Sequence, residues 1–132
     1  VLTPPWNRAG GGVLAGLREL GFTGLTRYLP RRAAQLPALT PVPPPVALLD
    51  WKGNRGFVGE SEALTLLIGH LAARRAGAVD PDEPTGLLTH HLVHDPATWR
   101  FLEKLRAFLK KQSAVRLLDP SAVFETGKFP ER

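Results

Sequence analysis

The chain has no cysteine, which excludes a disulfide framework and any thiolate metal site. Metal binding would fall to His, Asp or Glu. No apolar run approaches the roughly 18 residues that indicate a membrane span, and no charged-then-apolar leader opens the chain. The sequence therefore reads as soluble with no membrane span, and the lack of a visible signal peptide weighs towards the cytoplasm. A first residue of Val instead of Met, followed by the abrupt apolar start VLTPPWN, leads us to expect excision from a longer polypeptide. Clustered charge is also missing. Lys and Arg outnumber Asp and Glu by 17 to 12, yet Arg31-Arg32, Arg74-Arg75 and Lys110-Lys111 are isolated pairs without interleaved aromatics. That pattern disfavours nucleic acid as a partner.

What remains is a chain of 132 residues, 43% hydrophobic and 22% charged, enough for one core and one globular unit. Val13, Leu14, Leu17 and Leu20 ahead of Gly21 predict a helix over 9–20. FTGLTRY predicts a short strand. The proline-rich stretch 29–45 reads as an irregular surface loop. VALLDW, 46–51, has the form of a buried parallel strand ending in a charge. After the loop KGNRGFVG, the spacing of Leu64, Leu67, Ile68 and Leu71 predicts a helix from Glu60 to about Arg75, stopped by Gly77.

DPDEPT follows as a loop, and GLLTH as a second apolar strand. Asp95-Pro96 then reads as an N-cap and first-turn proline. The helix beyond, to about Lys111, is expected to bury a combination of Trp99, Leu102, Leu105, Phe108 and Leu109. AVRLL, 114–118, is read as one more strand and 119–132 as a weakly structured tail. Strands alternating with helices argue for an α/β chain of parallel βα units, in number about half of a (β/α) barrel.

Three strand ends finish in polar or aromatic groups: Trp6-Asn7-Arg8, Asp50-Trp51 and His90-His91. Parallel α/β folds gather such ends on one face, where ligands bind. An Asp beside a His there would favour the imidazolium, raise its pKa and fix its orientation, giving a proton donor for a leaving group. Plainer roles are available to each. Asp50 can cap its own loop with Trp51 on the rim, and the histidines can belong to an ordinary strand-to-helix connection. Asn7 can cap the helix after a turn stiffened by Pro4-Pro5, while Arg8 pairs with an acidic neighbour. A zinc site of His90, His91 and His94 would require His at i and i+4 on one helical face, but GLLT before and Pro96 after place them on a strand and a turn.

Taken in order, LTPPWNR, LLDWKG and GLLTHHLVHD resemble the last three motifs of the polysaccharide deacetylase family, the NodB-homology carbohydrate esterase barrel. The resemblance covers residues 1–106. It implies a distorted (β/α) barrel of which this chain is the C-terminal half, acting on acetylated carbohydrate with a divalent metal, zinc or similar. The family's metal ligands and base lie in two earlier motifs, so no metal ligand is assigned here. The missing N-terminal half becomes an expected partner, and the isolated chain is expected to be inactive. By the same resemblance His90 matches the general acid with His91 close behind, and only one of the two should face the interior. Asp50 matches the residue that tunes that acid. Trp6, Asn7, Arg8 and Trp51 are expected on the substrate groove. Thr3, Asn7 and Ala47 depart from the family's Arg, Gly and first Asp at their positions. The rival expectation is a non-catalytic βα module that binds carbohydrate or a polyanion.

Overall fold

A computed structural model describes residues 1–27 and 39–124. The chain is of mixed α/β class, with its paired strands short and parallel. Its elements are α1 (Gly11–Gly16), β1 (Gly24–Leu25), β2 (Thr40–Pro41), β3 (Val46–Ala47), α2 (Glu60–Arg75), β4 (Leu87–Leu88), α3 (Pro96–Leu109) and α4 (Pro120–Phe124). The parallel pairing expected from βα alternation is present, but among the described residues it forms two separate two-stranded sheets, β1–β2 and β3–β4, and not the expected half of a (β/α) barrel. Gly24 pairs with Thr40 and Leu25 with Pro41, while Val46 pairs with Leu87 and Ala47 with Leu88.

Leu2 joins the first pair, giving its N–H to Gly24 and accepting from the N–H of Thr26, each at 2.9 Å. Part of the proline-rich stretch therefore contributes a strand. β2 donates through the flanking residues, Thr40 to Thr23 and Val42 to Leu25, both at 2.9 Å. The N–H that Pro41 lacks is at the position the ladder does not use. The part of that stretch through residue 38 lies outside the described residues, as does Tyr28 of the expected FTGLTRY strand, of which only Gly24–Leu25 pairs as β1.

Two apolar clusters hold these pairs. One joins Leu17, Leu25 and Leu39, with Leu2, Leu14 and Phe22 against it. The other joins Val46, Leu48, Ala63, Phe101 and Leu105 and packs α2 and α3 on β3 and β4. α1 is shorter than its apolar spacing predicts. The chain leaves the helix after Gly16 and closes at Gly21, φ +79°, where the Phe22 N–H reaches Leu17.

Both long helices keep their expected ends. α2 shares only Leu67 with the face its apolar spacing predicts, whereas α3 buries part of its expected set, Leu105 with Leu102 and Leu109 half-buried beside it. In α2 the residues turned to the core are Ala63, Leu66 and Leu67, with His70 one turn on, whereas Leu64, Ile68 and Leu71 are exposed. In α3 they are Thr98, Phe101 and Leu105, and Trp99 and Phe108 are exposed.

Residues 114–118 form no strand, and Val115 and Leu117 point into solvent. The tail instead begins with α4. Asp119 accepts from the Ser121 hydroxyl at 2.6 Å and N–H at 2.9 Å, an N-terminal cap that starts the turn. α4 then lays the Phe124 ring on Gly24, where a Cβ would collide with it. No helix among the described residues is long and apolar enough to cross a membrane.

Candidate functional site

Because β3 and β4 are parallel neighbours in register, the residues that follow each strand emerge at the same edge. After β3 the chain turns back at once: the Asp50 N–H donates to Gly56 at 3.0 Å and the Arg55 N–H returns to Asp50 at 2.9 Å. Asp50 Oδ1 accepts from the backbone N–H groups of Gly53 at 2.8 Å and Lys52 at 3.2 Å. The loop needs glycine at 53, since a Cβ there would strike the Asp50 carboxylate. The carboxylate that was expected to couple to His90 is thus turned onto its own loop, the plainer of the two roles open to it.

Trp51 does reach His90. The two rings meet edge-on, 4.8 Å between centroids at 78°, with Trp51 46% exposed. His90 is half-buried, and His91, the first residue of the turn that follows, is exposed. His90 is also held by the turn that follows. Its carbonyl accepts from the Val93 N–H at 2.9 Å, and its own N–H donates to Nε2 of His94 at 2.8 Å. His94 rests edge-on against Trp99, 5.0 Å away at 70°. Nδ1 of His90 and Nδ1 of His94 are buried without a partner.

The turn ends in a firm helix start. Asp95 Oδ1 accepts from the N–H and hydroxyl of Thr98 at 2.7 and 2.8 Å, as the Asp-Pro pair predicts. Those bonds, the backbone one first, hold the Asp95 carboxyl below its ordinary pKa.

Electrostatics at His90 run opposite to expectation. Burial lowers its pKa, and the neighbouring His94 lowers it further. His94 is lowered in the same way by burial; Asp95 pulls it back up and His91 adds to the lowering. A pair at Asp50 would have raised His90, but that carboxylate bonds elsewhere. For both histidines the unfolded chain binds more protons than the folded one between the lowered value and the ordinary 6.5. Their contribution to stability is complete above about pH 6.5 and is lost as pH falls through the folded-state values. Urea unfolding should accordingly show a lower midpoint at about pH 5.5 than at about pH 7.5. A midpoint that holds steady or rises over that interval would contradict the assignment.

Trp6, Asn7 and Arg8 stand apart from this pair, in the half of the molecule built around β1. Trp6 and Asn7 both take left-handed backbone, φ +58° and +51°, unusual for a bulky aromatic. Asn7 is buried and accepts from the Thr26 hydroxyl at 2.9 Å, so it bolts the turn to the residue after β1 instead of capping a helix. Trp6 is left 86% exposed, and Arg8 is exposed as well.

Among the described residues no group of three or more His, Asp or Glu could hold a metal ion. In the histidine turn one candidate ligand atom, Nε2 of His94, is already taken by a backbone N–H. The residues present therefore do not by themselves fit a divalent metal.

Sequence reasoning missed two histidine arrangements. His94 is the residue bonded to His90, an arrangement that the four-residue interval across a turn does not signal. His70 forms a buried pair with Glu83, Nε2 to Oε1 3.0 Å, foreshadowed by its helical spacing from Ala63 and Leu67. Comparisons with protein-family models, with curated proteins and with solved structures give no match to this chain.

Proposed function

We propose that the chain is the C-terminal half of a metal-dependent carbohydrate deacetylase, hydrolysing N- or O-acetyl groups on a poly- or oligosaccharide, with His90 as the general acid. On this reading the parallel units are consecutive parts of a distorted (β/α) barrel, and the metal ligands and base come from an N-terminal half. The observation that carries it is the meeting of Trp51 and His90 at one edge of two adjacent parallel strands. An imidazole beside a half-exposed aromatic is a pairing suited to a sugar ring with a departing group. Trp6, exposed in the half built around β1, is not brought to this pair, and Asn7 holds the turn that carries it. His91, exposed, is the lesser candidate for the acid.

A general acid acts only when protonated, so the lowered pKa of His90 makes kcat/KM fall as pH rises, beginning below pH 6.5. The test is acetate release from acetylated oligosaccharides by the full-length gene product supplied with a divalent metal. His90→Ala should reduce kcat by about 10²- to 10⁴-fold, with His91→Ala close to the parent. Activity equal to the parent in both variants, or none in the parent with any acetylated sugar, overturns the proposal.

One observation favours a second reading. The Asp50 carboxylate is engaged by its own loop, which leaves Trp6 and Trp51 as exposed aromatics without a carboxylate–imidazole pair. A non-catalytic carbohydrate-binding module needs only such aromatics. Oligosaccharide binding abolished by Trp51→Ala and indifferent to His90→Ala would establish it over the first.

A further inference from the structure

We propose that His94 is the positioning residue of His90, filling the place that the motif resemblance gives to Asp50. The inference rests on the reading of His90 as the acid, and its evidence is the geometry of the turn. Nε2 of His94 accepts the His90 N–H at 2.8 Å, so that nitrogen carries no proton and the ring proton of His94 sits on Nδ1. The Trp99 ring, from the first turn of α3, holds the imidazole in place from the other side. α3 is fixed to the same turn by the Asp95 cap. The backbone of His90 is thereby tied to a helix, while its side chain is fixed by Trp51 from the β3 loop.

Protonation of His94 undoes this in two ways. It fills the acceptor that holds the His90 N–H, and it sets a positive charge beside the acid. The other charged groups around the turn do neither. Asp50 is bonded to Lys52 and Gly53, His91 is exposed, and Asp95 acts on His94, whose pKa it raises. The lowered pKa of His90, with His94 as its second cause, is consistent with that arrangement.

The test is spectroscopic and needs no substrate. Amide hydrogen exchange and imidazole titration of His90 are followed by NMR in the parent chain and in His94→Ala, His94→Gln and Asp50→Asn. His94→Ala should quicken exchange of the His90 amide about tenfold, the value of one net hydrogen bond, and move its titration upward. His94→Gln supplies an amide oxygen to the same N–H, so it should restore slow exchange while keeping the upward shift. This separates a positioning role from general loosening of the fold. Asp50→Asn should leave both readings at the parent values. A His90 that responds to Asp50→Asn and not to His94→Ala overturns the proposal, as does equal loss of protection in the alanine and glutamine variants. Failure of the deacetylase reading would appear as absent acetate release and would leave these spectra unaltered.

Discussion

Replacing Phe101 with Ala should cost about 3–5 kcal/mol of unfolding free energy, read from urea or guanidinium denaturation. Phe101 is 4% exposed on α3, in the cluster with Val46, Leu48, Ala63 and Leu105. Its ring lies 5.2 Å from that of Phe57, tilted by 39°. Truncation removes the transfer free energy of the ring and leaves a void bounded by three elements, β3, α2 and α3, that cannot all close on it. A domain of this size is stable by only about 5–15 kcal/mol, so the variant should sit near the edge of folding. Phe108→Ala is the matched control. Its ring is 60% exposed on the same helix, and its change should stay within about 0.5 kcal/mol. Similar losses in the two variants would mean that α3 docks by a different face.

The phase of α3 is where the sequence was hardest to read. Trp99, Phe101, Leu102, Leu105, Phe108 and Leu109 are spread over about half the helix circumference, so apolar periodicity alone admits several faces. The helix start breaks the tie. Asp95 caps through the Thr98 N–H and hydroxyl, which buries Thr98 and with it the residues three and seven positions on, Phe101 and Leu105. The cap itself was plain in the Asp-Pro dipeptide; its consequence for phase was not drawn. α2 misleads in a related way. Leu64, Ile68 and Leu71 form a helical stripe that is exposed, while the face packed on the core is built from the small Ala63, from Leu66 and Leu67, and from a histidine.

At the site, the parallel pairing of the two polar strand ends was legible because short apolar runs separated by a helix leave few other topologies. Trp51 beside His90 follows from that pairing. The role of Asp50 was not legible, because a carboxylate two or three residues before free loop N–H groups has a local partner at no cost in chain ordering. The glycine at 53 that allows this bond was visible only as part of a loop. His94 could not be assigned from spacing, since an interval of four has meaning on a helix and little on a turn whose φ and ψ are unknown.

Glu83→Ala should destabilise the chain by about 1–3 kcal/mol and loosen the β3–β4 edge that carries Trp51 and His90. The Glu83 side chain is 2% exposed and that of His70 8%. With Nε2 of His70 donating to Glu83 Oε1 at 3.0 Å, Nδ1 takes the Thr85 hydroxyl at 2.9 Å. Arg74 donates to that same hydroxyl oxygen at 3.4 Å and, more strongly, to the Pro81 carbonyl at 2.7 and 3.1 Å. The chain of bonds binds the second half of α2 to the loop that leads into β4, so each member orients the next. Alanine at 83 leaves a buried imidazole N–H without its acceptor, whereas Glu83→Gln keeps an oxygen there and should lose less. The surface pair Lys104–Glu60 has a similar length, 2.9 Å, with both side chains more than half exposed. Glu60→Ala should therefore change stability by at most about 1 kcal/mol. The loop's hold on β4 gives a second readout. The Val46 N–H donates to the carbonyl of Gly86, at the junction of loop and strand, and its exchange should quicken in Glu83→Ala and remain at the parent rate in Glu60→Ala. If Val46 stays protected while global stability falls, the His70 network supports α2 alone, and the site edge keeps its register through the β3–β4 pairing without it.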